Sequence, residues 1–205
     1  TIENAQGKVI TDPTQSDVKR NATGSLVGVT TNYFNAADVE TSGFDFEASY
    51  FLPVNDIGDM SLTFSATHMV KYLIPVAGEM TDVVGLFNHD NFARSLPETK
   101  ANTTFRWSRD NHKASIAARY ISSYKTTRVS PPAGYSNNID NFLTWDLQYA
   151  YEFEVSEAVA VITVGMLNAT DEEPPLVWDD VNFSYDPRQH DARGRMAYAT
   201  FKVGF

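Results

Sequence analysis

Seven segments of this chain alternate apolar and polar residues in steps of two, the period at which a β-strand sends successive side chains to opposite faces. From Val39 to Leu52, Phe44, Phe46, Ala48 and Tyr50 oppose Asp45, Glu47 and Ser49. From Met60 to Val70, Met60, Leu62, Phe64 and Ala66 oppose Ser61, Thr63, Ser65 and Thr67. Lys100 to Ser108 and Lys113 to Tyr124 read as a hairpin turning through Arg109, Asp110, Asn111 and His112, with Phe105, Trp107, Ile116, Ala118 and Tyr120 on its apolar side. Asn141 to Phe153 sets Leu143, Trp145, Leu147, Tyr149 and Tyr151 against Thr144, Asp146 and Gln148. Ala158 to Asn168 is apolar on both sides, which leaves its orientation open. The last run places Ala197, Ala199, Phe201, Val203 and Phe205 opposite Tyr198, Thr200, Lys202 and Gly204. Such a period is hard to reconcile with helix and predicts an all-β fold.

Each segment is close to the roughly 9 to 11 residues with which a tilted strand crosses a bilayer. The connections alternate in length: short from Leu52 to Met60, long from Lys71 to Glu98, short at the hairpin, long from Lys125 to Asp140, short from Glu154 to Glu157, long from Ala169 to Arg193. That rhythm predicts an antiparallel up-and-down transmembrane β-barrel with tight periplasmic turns and extended outer connections. No run of 18 apolar residues supplies a spanning helix, and the opening Thr1, Ile2, Glu3, Asn4 lacks the basic and apolar regions of a signal peptide. Mean hydropathy below zero is what strands with one polar face produce. A net charge of -10 argues against a nucleic-acid partner, which needs clustered basic residues. The absence of cysteine removes disulfides, thiol nucleophiles and thiolate-zinc sites. Aromatic residues make up 13% of the chain, a content suited to belts at both membrane interfaces.

Outer-membrane barrels of Gram-negative bacteria commonly finish on an aromatic strand read by the barrel-assembly machinery, so Phe201, Val203 and Phe205 form the expected assembly signal. With Phe205 at the periplasmic end, the chain holds seven full strands, and Thr1 to Ala5 is the end of an eighth. Seven antiparallel strands do not close a cylinder of the usual even count, and open edges in hydrocarbon leave amides unsatisfied. The expectation is therefore that residues 1–205 are the carboxyl-terminal part of a larger barrel. Two other readings stand beside it. A small self-contained barrel with an adhesive or structural role needs another complete strand before Asp38, for which Leu26 to Phe34 is the candidate, and a soluble all-β binding module needs the loop rhythm to be accidental.

Three motifs carry a family resemblance. Tyr33 to Glu47 (YFNAADVETSGFDFE) resembles the Y-x-N-A...E-T-x-G-x-D-x-E signature of TonB-dependent outer-membrane receptors. Leu96 to Asn102 (LPETKAN) resembles their L-P-x-x-K-x-N approach to a descending strand. Val164 to Pro175 (VGMLNATDEEPP), followed by Tyr185, Asp186, Pro187, Gly194, Arg195 and Tyr198, resembles their V-G-x-x-N-x-x-D-E-x-P...Y-D...G-R-x-Y close, with Ala169 where a bulkier apolar residue is common. The resemblance implies a barrel of about 22 strands with a plugged lumen. It also implies a plug domain and a TonB box, neither of which is in this sequence, and import of a scarce nutrient (siderophore, cobalamin or carbohydrate) driven through TonB. The implied partners are outer-membrane lipid and lipopolysaccharide, the barrel-assembly machinery, the receptor's own plug, TonB and a small nutrient ligand, in the outer membrane of a Gram-negative bacterium.

No catalytic constellation and no cofactor motif is present. His68, His89, His112 and His190 lack metal-ligand spacing, and no G-x-S-x-G occurs. The polar strand faces place Asp45, Glu47, Arg106, Arg119, Asp146 and Lys202 toward the lumen, where charges persist when paired or hydrated. The last long connection holds seven acids (Asp171, Glu172, Glu173, Asp179, Asp180, Asp186, Asp191) and two arginines, with aromatic residues among them. Trp178, Phe183 and Tyr185 suit stacking on a sugar ring, and Asp179 and Asp180 suit accepting hydroxyl protons or holding a cation. The competing reading is a solvated loop folded by its own side chains, in which D-E-x-P and Y-D shape the chain.

Overall fold

The structure is a computed structural model that describes residues 18–29, 38–54, 56–76, 79–89, 91–128, 130–178 and 183–204. The chain divides at Ala37 into two units. The first contains a hairpin of β1 (Val18–Arg20) and β2 (Leu26–Val29). Its turn is held by Asn21, whose side-chain oxygen accepts the N–H groups of Thr23 at 3.1 Å and Ser25 at 2.9 Å, the local pairing asparagine favours. The sequence candidate Leu26 to Phe34 is thus a four-residue strand paired with β1, and its remainder lies outside the described residues.

The second unit is all strand and turn among the described residues: β3 (Glu40–Val54), β4 (Gly58–Val76), β5 (Glu79–Asp82), β6 (Leu86–Phe87), β7 (Ser95–Leu96), β8 (Thr99–Arg109), β9 (His112–Ile121), β10 (Tyr124–Thr126), β11 (Asn138–Ile139), β12 (Phe142–Val155), β13 (Ala158–Leu167) and β14 (Met196–Gly204). The long strands form one antiparallel meander in the order β3, β4, β8, β9, β12, β13, β14. These are the seven segments expected from the alternation. Two bounds differ by more than two residues: β4 runs on to Val76, and the fourth segment breaks after Ile121, with Tyr124 starting a separate strand.

Register carries the face pattern across the whole sheet. Tyr50, Leu62, Phe105, Ile116, Leu147, Met166 and Ala197 are consecutive cross-strand partners, so one apolar row spans all seven strands. One residue along, Phe51, Ser61, Arg106, Ser115, Gln148, Gly165 and Tyr198 make a mostly polar row on the opposite face. A slip of one residue in any strand would exchange the two. The pairing also settles β13, where Ala158, Ala160, Ile162, Val164 and Met166 share the apolar face with Tyr149, Tyr151 and Phe153. Phe201 and Val203 lie on that face, and Phe205 lies outside the described residues.

Short turns lie at one end. Val155 pairs with Ala158 and Arg109 with His112, and the first loop residues, Ser156 and Asp110, have φ of 56° and 49°, the left-handed backbone that two-residue hairpins favour. Trp107 donates its indole N–H to the Ile57 carbonyl in the neighbouring turn at 2.6 Å, giving a polar partner to an otherwise apolar ring. At the other end of the β3–β4 ladder the register shifts between Ser42 and Gly43, a bulge that leaves Val70 unmatched. A Cβ on Gly43 would stand 2.6 Å from the His68 carbonyl oxygen, so only glycine permits that approach.

A second close approach keys the last strand into the sheet. The Tyr198 ring lies against the bare Cα of Gly165, and its hydroxyl donates to the Gln148 side chain two strands away at 3.1 Å. Gly165→Ala is expected to force the ring aside and to lower unfolding stability by about 1–3 kcal/mol, the usual cost of overpacking. Chemical unfolding of the lipid-reconstituted protein, followed by tryptophan fluorescence, checks this. The cost is expected to fall sharply in a Tyr198→Ala background, because the obstacle is then gone.

Candidate functional site

The long connections fold against one another into a structured cap. In the first, β5 doubles back on β4, and the Asp82 carboxylate accepts the N–H groups of Tyr72 at 3.1 Å and Val84 at 3.2 Å. The buried Asn88 amide donates to the carbonyls of Arg94 at 2.8 Å and Val83 at 3.3 Å, fastening that connection to itself. The second connection joins the first through a small sheet ordered β11, β10, β6, β7, in which β10 and β6 are parallel. The Lys125 N–H donates to Gly85 and the Thr127 N–H to Phe87, both backbone to backbone. Phe87, Tyr124, Ile139 and Val177, one or more from each long connection, form a common apolar core.

Beside that core lies a buried polar cluster. The Tyr124 hydroxyl donates to the Asp186 carboxylate at 2.8 Å and lies 3.0 Å from His190 Nε2, with Asp186 fully buried. The other Asp186 oxygen accepts the Arg188 N–H at 3.0 Å. The His190 ring packs edge-on to Phe142, with centroids 5.0 Å apart. Gln189 donates its side-chain N–H to the Ser95 carbonyl at 3.0 Å, tying the third connection to the first. Burial raises the Tyr124 hydroxyl far above the ordinary phenol value, and the Asp186 charge and hydrogen bond push the same way. Burial lowers His190, opposed by the Asp186 charge and assisted by Lys100.

The base of the third connection is a clamp made largely from the closing motif. Asn168 adopts φ of 47°, donates its side-chain amide to the Glu172 carbonyl and accepts the Glu172 N–H, both at 2.9 Å. Asp171 accepts the Arg195 backbone N–H at 2.8 Å and pairs with the Arg195 guanidinium at 3.3 Å. Asp191 takes the Arg193 side chain, which holds that carboxyl below the usual range and raises the arginine. On the strand side, Asp146 pairs with Arg119 and also accepts the Asn168 N–H at 3.0 Å. A cavity of about 300 Å³ opens between clamp and sheet, with Arg119, Thr144 and Asp146 on one side and Gln189, Asp191 and Arg193 on the other.

The residues singled out in the sequence fall into three groups. Arg119 and Asp146 come together as an ion pair; Asp45 accepts the Thr67 hydroxyl at 2.6 Å; Glu47, Arg106 and Lys202 stand on the polar face in register with Ser65, Ser61 and Val161. Trp178 donates its indole N–H to the Asn137 side chain of the second connection at 3.1 Å, and Phe183 meets Tyr185 edge to face at 5.8 Å. Asp179 and Asp180 lie outside the described residues. Sequence reading passed over Tyr124, Asn88 and His190, whose importance comes from partners up to 66 positions away. The one local signal was the Y-D pair, in which Asp186 is the hub.

An antiparallel meander with a continuous apolar face, tight turns at one end and structured long connections at the other defines the wall of an outer-membrane β-barrel. The family model described as TonB dependent receptor-like, beta-barrel matches residues 2–169, and the chain belongs to that family. No curated protein matches it. The family is one of outer-membrane receptors for nutrient transport, and it works with a plug domain and TonB.

Asp146→Ala is expected to lower stability by about 1–3 kcal/mol, since it leaves the Asn168 N–H without its acceptor and Arg119 without its counter-ion. Asp146→Asn is expected to cost less, because an amide oxygen still accepts from Asn168 and the Arg119 end of the ion pair is half exposed and can be hydrated. Unfolding midpoints of the two variants check the order.

Proposed function

We propose that this chain supplies wall and outer connections to a receptor in the outer membrane of a Gram-negative bacterium, which binds a scarce nutrient and imports it with energy delivered through TonB. In this reading residues 1–205 are the carboxyl-terminal segment of the barrel, and further strands of the same protein complete its edges. The lumen holds the receptor's own plug. Lipid and lipopolysaccharide surround the apolar face, and the barrel-assembly machinery reads the strand that carries Phe201, Val203 and Phe205.

The observation that carries the reading is the cap: the long connections share a core instead of lying loose, as a preorganised binding surface requires. Within it, the excursion from Trp178 to Tyr185 is the proposed ligand surface. Both flanks are fixed, since Val177 is buried and hydrogen-bonded to the Ser184 carbonyl, and Asp186 is buried beside Tyr124. Trp178, Phe183 and Tyr185 then offer ring faces, and Asp179 and Asp180 offer acceptors, to a siderophore, a cobalamin or a carbohydrate. The polar-face charges Asp45, Glu47, Arg106, Arg119 and Asp146 serve the plug contact and the lumen wall.

Uptake by cells carrying the full-length receptor tests the proposal. Transport of the cognate nutrient is expected to vanish when TonB is deleted while surface binding persists. Phe183→Ala, at a half-exposed ring, is expected to weaken binding about tenfold, equivalent to about 1.4 kcal/mol, without changing receptor abundance. Transport that is unaffected by TonB deletion would refute the proposal.

A further inference from the structure

We propose that the Tyr124, Asp186 and His190 cluster is a latch that holds the second and third long connections together and releases them on acidification. The hydrogen-bond chain assigns the protons. Tyr124 has one hydroxyl proton, and it goes to the Asp186 carboxylate at 2.8 Å. The contact of 3.0 Å to His190 Nε2 therefore has the histidine as donor, which places its single proton on Nε2 and leaves Nδ1 as a bare acceptor. Nδ1 is buried and has no hydrogen-bond partner among the described residues, and the residue is 5% exposed.

A second proton would have to go to Nδ1, a buried atom that none of the described residues offers an acceptor. The groups facing the ring are Tyr124 from β10, Phe142 from β12, Lys100 from β8 and Asp186 from its own connection. Only Asp186 favours the cation, and its carboxylate is already engaged by Tyr124 and the Arg188 N–H. Burial and Lys100 outweigh it, so the closed cap holds His190 below the ordinary histidine value. The sign of the linkage follows. Once the cap opens, the histidine takes a proton near its ordinary value of about 6.5. The closed form is fully favoured above that value and loses its advantage progressively as pH falls from there toward the lower value of the closed state.

The consequence reaches every long connection, because Gln189, next to His190, ties to Ser95, and Tyr124 begins the strand that pairs with β6. Release at His190 unpins the base of the excursion that carries Phe183 and Tyr185. The nutrient reading is not needed for this proposal, and its failure would leave the latch untouched.

Hydrogen exchange of the full-length receptor in detergent, at about pH 8 and about pH 5 on either side of the ordinary histidine value, tests the latch once intrinsic rates are corrected. Segments 84–96, 122–128 and 183–192 are expected to lose protection together at the lower pH, by about tenfold for each unit by which about pH 5, or the closed histidine value if that is higher, lies below the open value, and so by no more than about thirtyfold, while β8, β9, β12 and β13 stay protected. His190→Gln, whose amide still donates to Tyr124 but takes no proton, is expected to stay protected at both pH values. Tyr124→Phe is expected to be open at both. Protection that survives at about pH 5 in the unmodified receptor, or an acid response that persists in His190→Gln, would overturn the proposal. If His190→Gln does not close at the higher pH, the ring carbon resonance of His190 in the unmodified receptor decides. A midpoint below the ordinary value supports the latch, and one at or above it overturns it.

Discussion

Hydrocarbon does not hydrogen-bond, so a chain that crosses it must satisfy every backbone N–H and C=O from within, and the meander of this chain is a solution to that one demand. Each long strand is paired with the next along its length, and the rows that result put apolar side chains on one face and polar ones on the other. The face pattern and the ladder reinforce each other. A slipped strand would keep its hydrogen bonds and lose its apolar face to the wrong side, so a bilayer selects the register that the ladder alone would leave free. The two glycine approaches, Gly43 at a bulge and Gly165 beneath Tyr198, serve the same end by admitting one alignment of their neighbours.

Beyond the bilayer the constraint changes. Water now satisfies exposed amides, and the long connections have no need of ladders, yet they are joined by a parallel pair, an apolar core and buried polar groups. Buried polar groups are costly unless partnered, and several partners here come from different connections: Tyr124 with Asp186, Gln189 with Ser95, Trp178 with Asn137. Each such bond couples segments far apart in the sequence, so the cap rises or falls as a unit more readily than as separate loops.

The strands were legible because their period is local. Seven alternating segments and a short-long rhythm of connections are read without knowing any partner, and the meander follows them closely. The orientation of β13 was not legible, since Val159 and Val161 on one face and Ile162 and Val164 on the other carry the same signal. Neighbouring strands decide it. The cap was illegible for the same reason carried further: Tyr124 read as the end of a strand, and His190 as one of four scattered histidines. The chemistry of both depends on residues about sixty positions away.

The carboxylates of the third connection show why counting charges misleads. Seven acids among aromatic rings suggest a binding surface, but Asp171 is spent on Arg195, Asp191 on Arg193 and Asp186 on Tyr124. A carboxylate committed to closing a loop has little left to offer a ligand, because releasing it would expose the partner it was satisfying. The structural use of those three acids is also what makes a binding role for the remaining segment physically reasonable. Val177 and Asp186, which flank the proposed surface, are both buried in the cap, so its two ends are fixed before any ligand arrives. If the proposed surface binds a ligand, those three acids serve it indirectly, by fixing the parts of the connection on which its flanks stand.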